Sequence, residues 1–209
     1  MKRVIKSTLA LGTGLATIAG IVLVPAAVNA ATENTTINAE LSSGISITTS
    51  GTVTLNITPT GAGSYTSAAD TVTVGTNSTA GYTLKLNDDD AEAALVHTVQ
   101  TTNKLTAVSG TIAVPAALGV NQFGFRLNDS GATTGFGAGY GAAETNQASL
   151  GSNKWAAIPL ASDSTTNTIR VTSAANASDA VSVYYGASAD FSKPEGTYSD
   201  SVLYTATAN

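Results

Sequence analysis

The stretch that decides the fold runs from Val72 to Asp88 and reads Val-Thr-Val-Gly-Thr-Asn-Ser-Thr-Ala-Gly-Tyr-Thr-Leu-Lys-Leu-Asn-Asp. Apolar residues alternate with polar ones on both sides of the segment Asn77 to Gly81. A period of two places alternate side chains on one face of a strand. Asn, Ser and Gly are typical turn residues. The stretch therefore predicts two strands joined by a turn, each with one buried face.

The same alternation recurs on both sides of this stretch. It predicts further strands at residues 37–41, 45–47, 53–57, 95–100, 111–114, 123–127, 169–171, 181–185 and 198–206. Parallel strands need long crossover connections, which the sequence does not show. We therefore predict an all-β protein, an antiparallel β-sandwich that is immunoglobulin-like in the broad sense.

The N-terminal residues 1–30 predict a signal peptide. Three cations precede an uncharged apolar run, and small residues follow at positions 28 and 30. This order indicates cleavage between Ala30 and Ala31. The alternative is an uncleaved anchor, because residues 9–28 are about long enough to span a bilayer. Cleavage is the favoured interpretation, and it leaves no stable membrane span and an extracellular or cell-surface protein.

Composition limits the chemistry of the remaining chain, residues 31–209, which we expect to form a single β-sandwich domain. The sequence has no cysteine and one histidine, so thiol chemistry and a multi-histidine zinc site are excluded. The formal net charge is -5. A basic surface for nucleic acid is therefore absent, and we expect no nucleic-acid partner.

Two segments resemble parts of secreted bacterial surface proteins. Pro194 to Val202 fits a P-x-G-x-Y-x-D-x-V turn before a final strand, and Gly81 to Leu86 fits a G-Y-x-L-x-L strand. Both are similar to segments of pilin-like, spore-coat-U-like and WxL-type wall-binding β-sandwiches. The resemblance implies a sandwich fold and a surface location, and it implies no particular chemistry.

The densest acidic run follows the strand that ends near Asp88. Its carboxylates belong to Asp88, Asp89, Asp90 and Glu92. Calcium takes six to eight oxygen ligands, so these four residues are a candidate calcium site. The run lacks the spacing of an EF-hand loop, and the alternative is a solvated hairpin turn. No other cofactor is indicated.

Three aromatic residues are candidate partner contacts. Phe136 and Tyr140 lie in a glycine-rich segment, residues 135–141, and Trp155 is the single tryptophan. Exposed aromatic side chains supply much of the contact energy in interfaces. The alternative is a loop that folds back over the sandwich.

Other residues favour structural roles. Tyr198, two residues after Gly196, has the spacing of a tyrosine corner, in which the hydroxyl bonds a backbone group upstream; an ordinary core tyrosine is the alternative. Lys85 and Arg126 stand between apolar neighbours and are expected to face solvent. That orientation argues against a lysine-to-asparagine crosslink. His97 is expected at the surface or half-buried.

The sequence contains no convincing catalytic set, because no Gly-x-Ser-x-Gly motif accompanies the lone histidine. We therefore expect an exported, non-catalytic structural or adhesive protein, such as a pilin-like or coat-like subunit. Its partners would be itself or other surface proteins. One alternative is a module that binds cell wall or glycan, and a second is a secreted glycan hydrolase with two carboxylates.

Overall fold

The structure is a computed structural model that describes residues 32–127, 140–141, 153–164 and 167–209. The chain divides into two units, residues 1–40 and 41–209. In the first unit, residues 32–40 are exposed and belong to no helix or strand. Among the described residues, no helix has the length and apolar character needed to cross a membrane.

The second unit consists of strands, which confirms the prediction of an all-β protein: its described residues contain no α-helix. The strands are β1 (Ile45–Thr48), β2 (Ser64–Thr76), β3 (Tyr82–Asp88), β4 (Ala94–His97), β5 (Lys104–Ala107), β6 (Ala116–Ala117), β7 (Gln122–Leu127), β8 (Lys154–Trp155), β9 (Thr168–Val171), β10 (Asn176–Ala189), β11 (Tyr198–Ser199) and β12 (Val202–Ala208).

These strands form three sheets. A seven-stranded sheet has the order β1-β2-β10-β7-β5-β4-β11, a three-stranded sheet has the order β12-β3-β9, and β6 pairs with β8. The long pairing of β2 with β10 runs from Ser64↔Ala189 to Thr76↔Asn176. Neighbouring strands are antiparallel except β5 and β7, which are parallel.

The main core draws on the larger two sheets. Strand β3 buries Tyr82, Leu84 and Leu86 completely, as its alternation predicts. The same apolar cluster includes Val72 of β2 and Phe125 of β7. Each fully buried side chain of this size stabilises the fold by about 1.5–3 kcal/mol, so the alternating positions hold the two sheets in one core.

A second apolar cluster lies around Trp155, together with Tyr65, Val108 and Leu118. Strand β7 is consequently buried at almost every position. Arg126 is 1% exposed, and its guanidinium lies 5.7 Å from the centre of the Trp155 ring. The expectation that Arg126 faces solvent is wrong. Both faces of β7 are covered, so a residue between two apolar neighbours is also buried.

Three predicted strands do not form. Residues 37–41 and 111–114 belong to no strand of the described structure. Residues 53–57 keep the alternation, since Val53, Leu55 and Ile57 pack against the main core. However, residues 52–59 make no backbone hydrogen bond to any described residue. Side-chain periodicity therefore placed the apolar face correctly, while the structure shows no backbone pairing between these residues and the rest of the described chain.

Candidate functional site

Three carboxylates converge where β3 ends and β12 begins. The register pairs Val202 with Asp88, which brings Asp200, just before β12, close to the end of β3. One carboxylate oxygen from each of Asp88, Asp90 and Asp200 lies within 4.8 Å of the other two. We call these three residues the acidic cluster. Sheet pairing thus joins a residue near the C-terminus to the loop that follows β3.

The two less exposed members of the acidic cluster each have a carboxylate oxygen without a donor. Asp88 is 0% exposed, and its Oδ1 accepts a hydrogen bond from the Asp90 N–H at 2.9 Å. Asp200 Oδ1 accepts from the Ser201 N–H at 2.8 Å. No described residue donates to Oδ2 of Asp88 or to Oδ2 of Asp200, although both atoms are buried. A buried carboxylate oxygen that accepts no hydrogen bond carries a desolvation cost.

Electrostatics at the acidic cluster disfavour ionisation. Burial raises the pKa of Asp200 to about 7, and the negative charges of Asp88 and Asp90 add to this effect. Burial also raises the pKa of Asp88, which the Asp90 N–H partly opposes. A cation between these groups would remove both causes, because it replaces lost hydration and cancels like-charge repulsion.

Two of the four acidic residues predicted as metal ligands lie apart from this cluster. Asp89 is exposed and accepts from the Ser201 hydroxyl at 3.4 Å. Glu92 forms a surface salt bridge with Lys104. Asp89 and Glu92 share the acidic run in the sequence without joining the cluster, whereas Asp200 joins the cluster from outside that run. Asp200 was visible as the aspartate of the P-x-G-x-Y-x-D-x-V segment, and only the β3–β12 register places it beside Asp88.

The predicted aromatic contacts are buried where the structure describes them. Trp155 is 0% exposed and Tyr140 is 3% exposed, so the prediction that they offer a surface to a partner is wrong. The Tyr140 hydroxyl donates to the Ile112 carbonyl at 2.8 Å, and Tyr65 meets the Trp155 ring edge-on at 5.9 Å. Trp155 is buried in the second apolar cluster, which covers that face of β7, and Tyr140 is buried in the main core cluster. Phe136 lies outside the described residues.

Tyr198 has the geometry of a tyrosine corner. Its hydroxyl donates to the Pro194 carbonyl at 3.0 Å, four residues upstream. His97, which is 3% exposed, packs edge-on against the Tyr198 ring at 4.9 Å. The His97 Nδ1 accepts from the N–H groups of Val99 and Gln100, so Nε2 carries the proton that bonds the Glu195 carbonyl at 3.0 Å. Both rings therefore hold loop backbone in place.

The predicted cleavage residues, Ala30 and Ala31, lie outside the described residues. Comparisons of the chain with protein-family models, curated proteins and solved structures found no match.

Proposed function

We propose that the chain is an exported, non-catalytic structural protein of the cell surface or extracellular space, a pilin-like or coat-like subunit with an immunoglobulin-like β-sandwich. Copies associate by adding a strand at an open sheet edge. The basic head, apolar run and small residues of positions 1–30 support export. The two larger sheets that share one core support the sandwich.

The observation that carries this proposal is an open edge along β12. Strand β12 ends the three-stranded sheet, and its outer edge pairs with no described strand. Its inward side chains Val202, Tyr204 and Ala206 are only half-buried, although they pack on the main core. An edge of this kind presents unpaired N–H and C=O groups that template another strand.

The segment at residues 52–58 packs on the same core, and its backbone pairs with no residue that the structure describes. Asp70 contacts both β12 and the chain just before this segment, because it accepts from the Ser50 N–H at 2.8 Å and interacts with the Tyr204 hydroxyl. Val53, Leu55 and Ile57 are half-buried, like the inward residues of β12. A strand added at this edge would bury these apolar side chains and form hydrogen bonds with the backbone of β12 and of residues 52–58.

Residues 36–41 have the pattern that such an edge accepts. Ile37, Ala39 and Leu41 alternate with polar residues, and Ile37 and Leu41 are 89% and 85% exposed. Burying two side chains of this size is worth about 1.5–3 kcal/mol each. We therefore assign the incoming strand to residues 36–41 of another copy.

The two alternative functions have weaker support. Glycan binding was inferred from exposed aromatic side chains, and Trp155 and Tyr140 are buried. A hydrolase of the common two-carboxylate type keeps its carboxyl groups about 5–10 Å apart around a sugar. The carboxylates of the acidic cluster are closer than that, and Asp88 is fully buried.

Export is tested by fractionating native cells into cytoplasm, membrane, wall and medium and sequencing the N-terminus of the protein. The proposal expects the chain in the wall or medium, beginning at Ala31. Cytoplasmic protein that retains residues 1–30 would overturn it.

Association is tested by sedimentation velocity of residues 31–209 over a range of concentrations. The double variant Ile37→Asp, Leu41→Asp removes the apolar face of the incoming strand and should be monomeric. Its matched control, Thr36→Asp with Asn38→Asp, adds the same charge to the opposite face and should associate as the unmodified chain does. A monomeric unmodified chain, or equal loss in both variants, contradicts the proposal.

A further inference from the structure

The acidic cluster differs from a solvated turn because two of its carboxylates have a buried oxygen. Asp88 is completely buried, and its Oδ2 meets no donor among the described residues. The same is true of Asp200 Oδ2. Buried charges of this kind are normally paired or coordinate a metal ion.

We propose that Asp88, Asp90 and Asp200 bind a calcium ion. Calcium binds carboxylate oxygens at about 2.3–2.6 Å, so two ligands on opposite sides of the ion are at most about 5 Å apart. The separation within 4.8 Å found for all three carboxylates meets this limit. The donor-free Oδ2 atoms of Asp88 and Asp200 supply buried ligands, and exposed Asp90 leaves a side open to water molecules that complete the shell.

Calcium fits the acidic cluster better than magnesium does. Magnesium requires near-octahedral ligands at about 2.0–2.1 Å, and it gives up its water reluctantly. Calcium tolerates irregular shells and mixes carboxylates with water. The cluster combines one fully buried, one half-buried and one exposed carboxylate, which is an irregular donor set.

The bound ion would fasten the start of β12. Asp88 ends β3, Asp90 lies in the following loop, and Asp200 lies between β11 and β12. Besides the β3–β12 pairing, this junction is held by a bond from the Asp89 N–H to the Ser201 carbonyl at 3.0 Å and by one from the Ser201 hydroxyl to Asp89 Oδ2 at 3.4 Å. Calcium would connect Asp200 to Asp88 and Asp90, which lie more than 100 residues earlier in the sequence. This inference does not depend on self-association, and a monomeric chain tests it equally well.

The test is calorimetric titration of chelator-treated residues 31–209 with calcium chloride, together with thermal unfolding in calcium, magnesium or chelator. Calcium should bind at one site and raise the unfolding temperature, with magnesium giving a smaller shift. The variant Asp90→Asn should weaken calcium binding at least tenfold, since it removes an exposed ligand while its amide oxygen still accepts from the Glu92 N–H. Asp89→Asn is the matched control: it removes the same charge from the adjacent exposed position and should change affinity less than twofold. No binding by the unmodified chain, or equal losses in Asp89→Asn and Asp90→Asn, would overturn the proposal.

The variant Asp200→Asn separates calcium binding from a proton shared between Asp88 and Asp200. If calcium is the partner, this variant binds calcium at least tenfold more weakly, and the unmodified chain is stabilised by the ion. If a shared proton is the partner, the unmodified chain does not respond to calcium, and the amide of the variant donates to Asp88 and raises the unfolding temperature in chelator. The second result contradicts the proposal.

Discussion

Replacing Gly186 with alanine tests how Trp155 is packed on the seven-stranded sheet. A Cβ at position 186 would lie 2.6 Å from Cη2 of Trp155 and 2.9 Å from both Cζ2 and Cζ3. These distances are shorter than van der Waals contact, and the atoms belong to a rigid ring that is completely buried. Either the ring or strand β10 must move, which we expect to destabilise the protein by about 2 kcal/mol, within the usual range for overpacking.

The assay is urea unfolding followed by tryptophan fluorescence, since Trp155 is the only tryptophan. With a slope of about 2 kcal/mol per molar urea, a loss of about 2 kcal/mol lowers the midpoint by about 1 M. The control is Gly44→Ala, because a Cβ there meets only Asn77 Oδ1, at 3.9 Å. We expect its midpoint to move by no more than about a quarter of that amount, as is usual for surface substitutions. Equal midpoints for Gly186→Ala and the unmodified chain would refute the packing of Trp155 on Gly186.

Three further predictions concern charge and hydrogen bonding. Asp179→Ala removes the carboxylate that Arg170 binds through two hydrogen bonds of 2.8 and 2.9 Å. Urea unfolding should show that this variant loses about 3–5 kcal/mol of unfolding free energy. Its control, Glu92→Ala at the exposed salt bridge with Lys104, should lose at most about 1 kcal/mol. Tyr198→Phe should cost about 1 kcal/mol in the same assay by removing the bond to Pro194, and an unchanged midpoint would argue against the tyrosine corner. Asp200 faces Asp88, Asp90 and Tyr185, and its pKa in the folded chain is raised from 3.8 to about 7. The contribution of Asp200 to the free energy of unfolding is therefore complete below pH 3.8 and is lost as pH rises through 7. In chelator, the unfolding temperature should therefore fall between pH 5 and pH 8 more for the unmodified chain than for Asp200→Asn, and parallel curves would contradict the burial of Asp200.

Alternation predicted which side chains are buried in a strand with one buried face, and it failed to do so in β7, although it did predict that strand at residues 123–127. In β3, alternation placed Tyr82, Leu84 and Leu86 in the core because the strand has one apolar and one polar face. In β7, the same rule placed Arg126 in water, although the Trp155 cluster covers that face. Alternation shows that one face of a strand is more apolar than the other. It does not show whether a segment distant in sequence covers the polar face.

Two glycines mark a close approach of Trp155 to the sheet that the apolar periodicity does not indicate. Gly124 of β7 pairs with Gly186 of β10, so neither strand places a side chain between itself and Trp155. A Cβ at position 124 would lie 2.9 Å from the Ala156 carbonyl oxygen, which shows how closely the chain around Trp155 approaches the sheet. Glycine within a strand often marks such a close approach. Pairing these two glycines, however, requires a register that the sequence alone does not provide.

Two of the three residues in the acidic cluster could be predicted from the sequence, for the same reason. Asp88 and Asp90 share a dense run that the sequence displays directly. Asp200 joins them through the β3–β12 pairing, a contact between residues more than 100 positions apart. Such long-range neighbours follow from sheet topology, whereas local charge density points equally to Asp89 and Glu92.

The most direct test of strand addition is hydrogen–deuterium exchange measured on residues 31–209 at low and at high concentration. The account predicts that amides of residues 52–58 and the outer amides of β12 exchange rapidly in the dilute chain and become protected on association, as do those of residues 36–41. Amides between β2 and β10, which are already paired, should be protected equally under both conditions. Exchange in β12 and residues 36–41 that stays the same while the protein associates would contradict association through this edge.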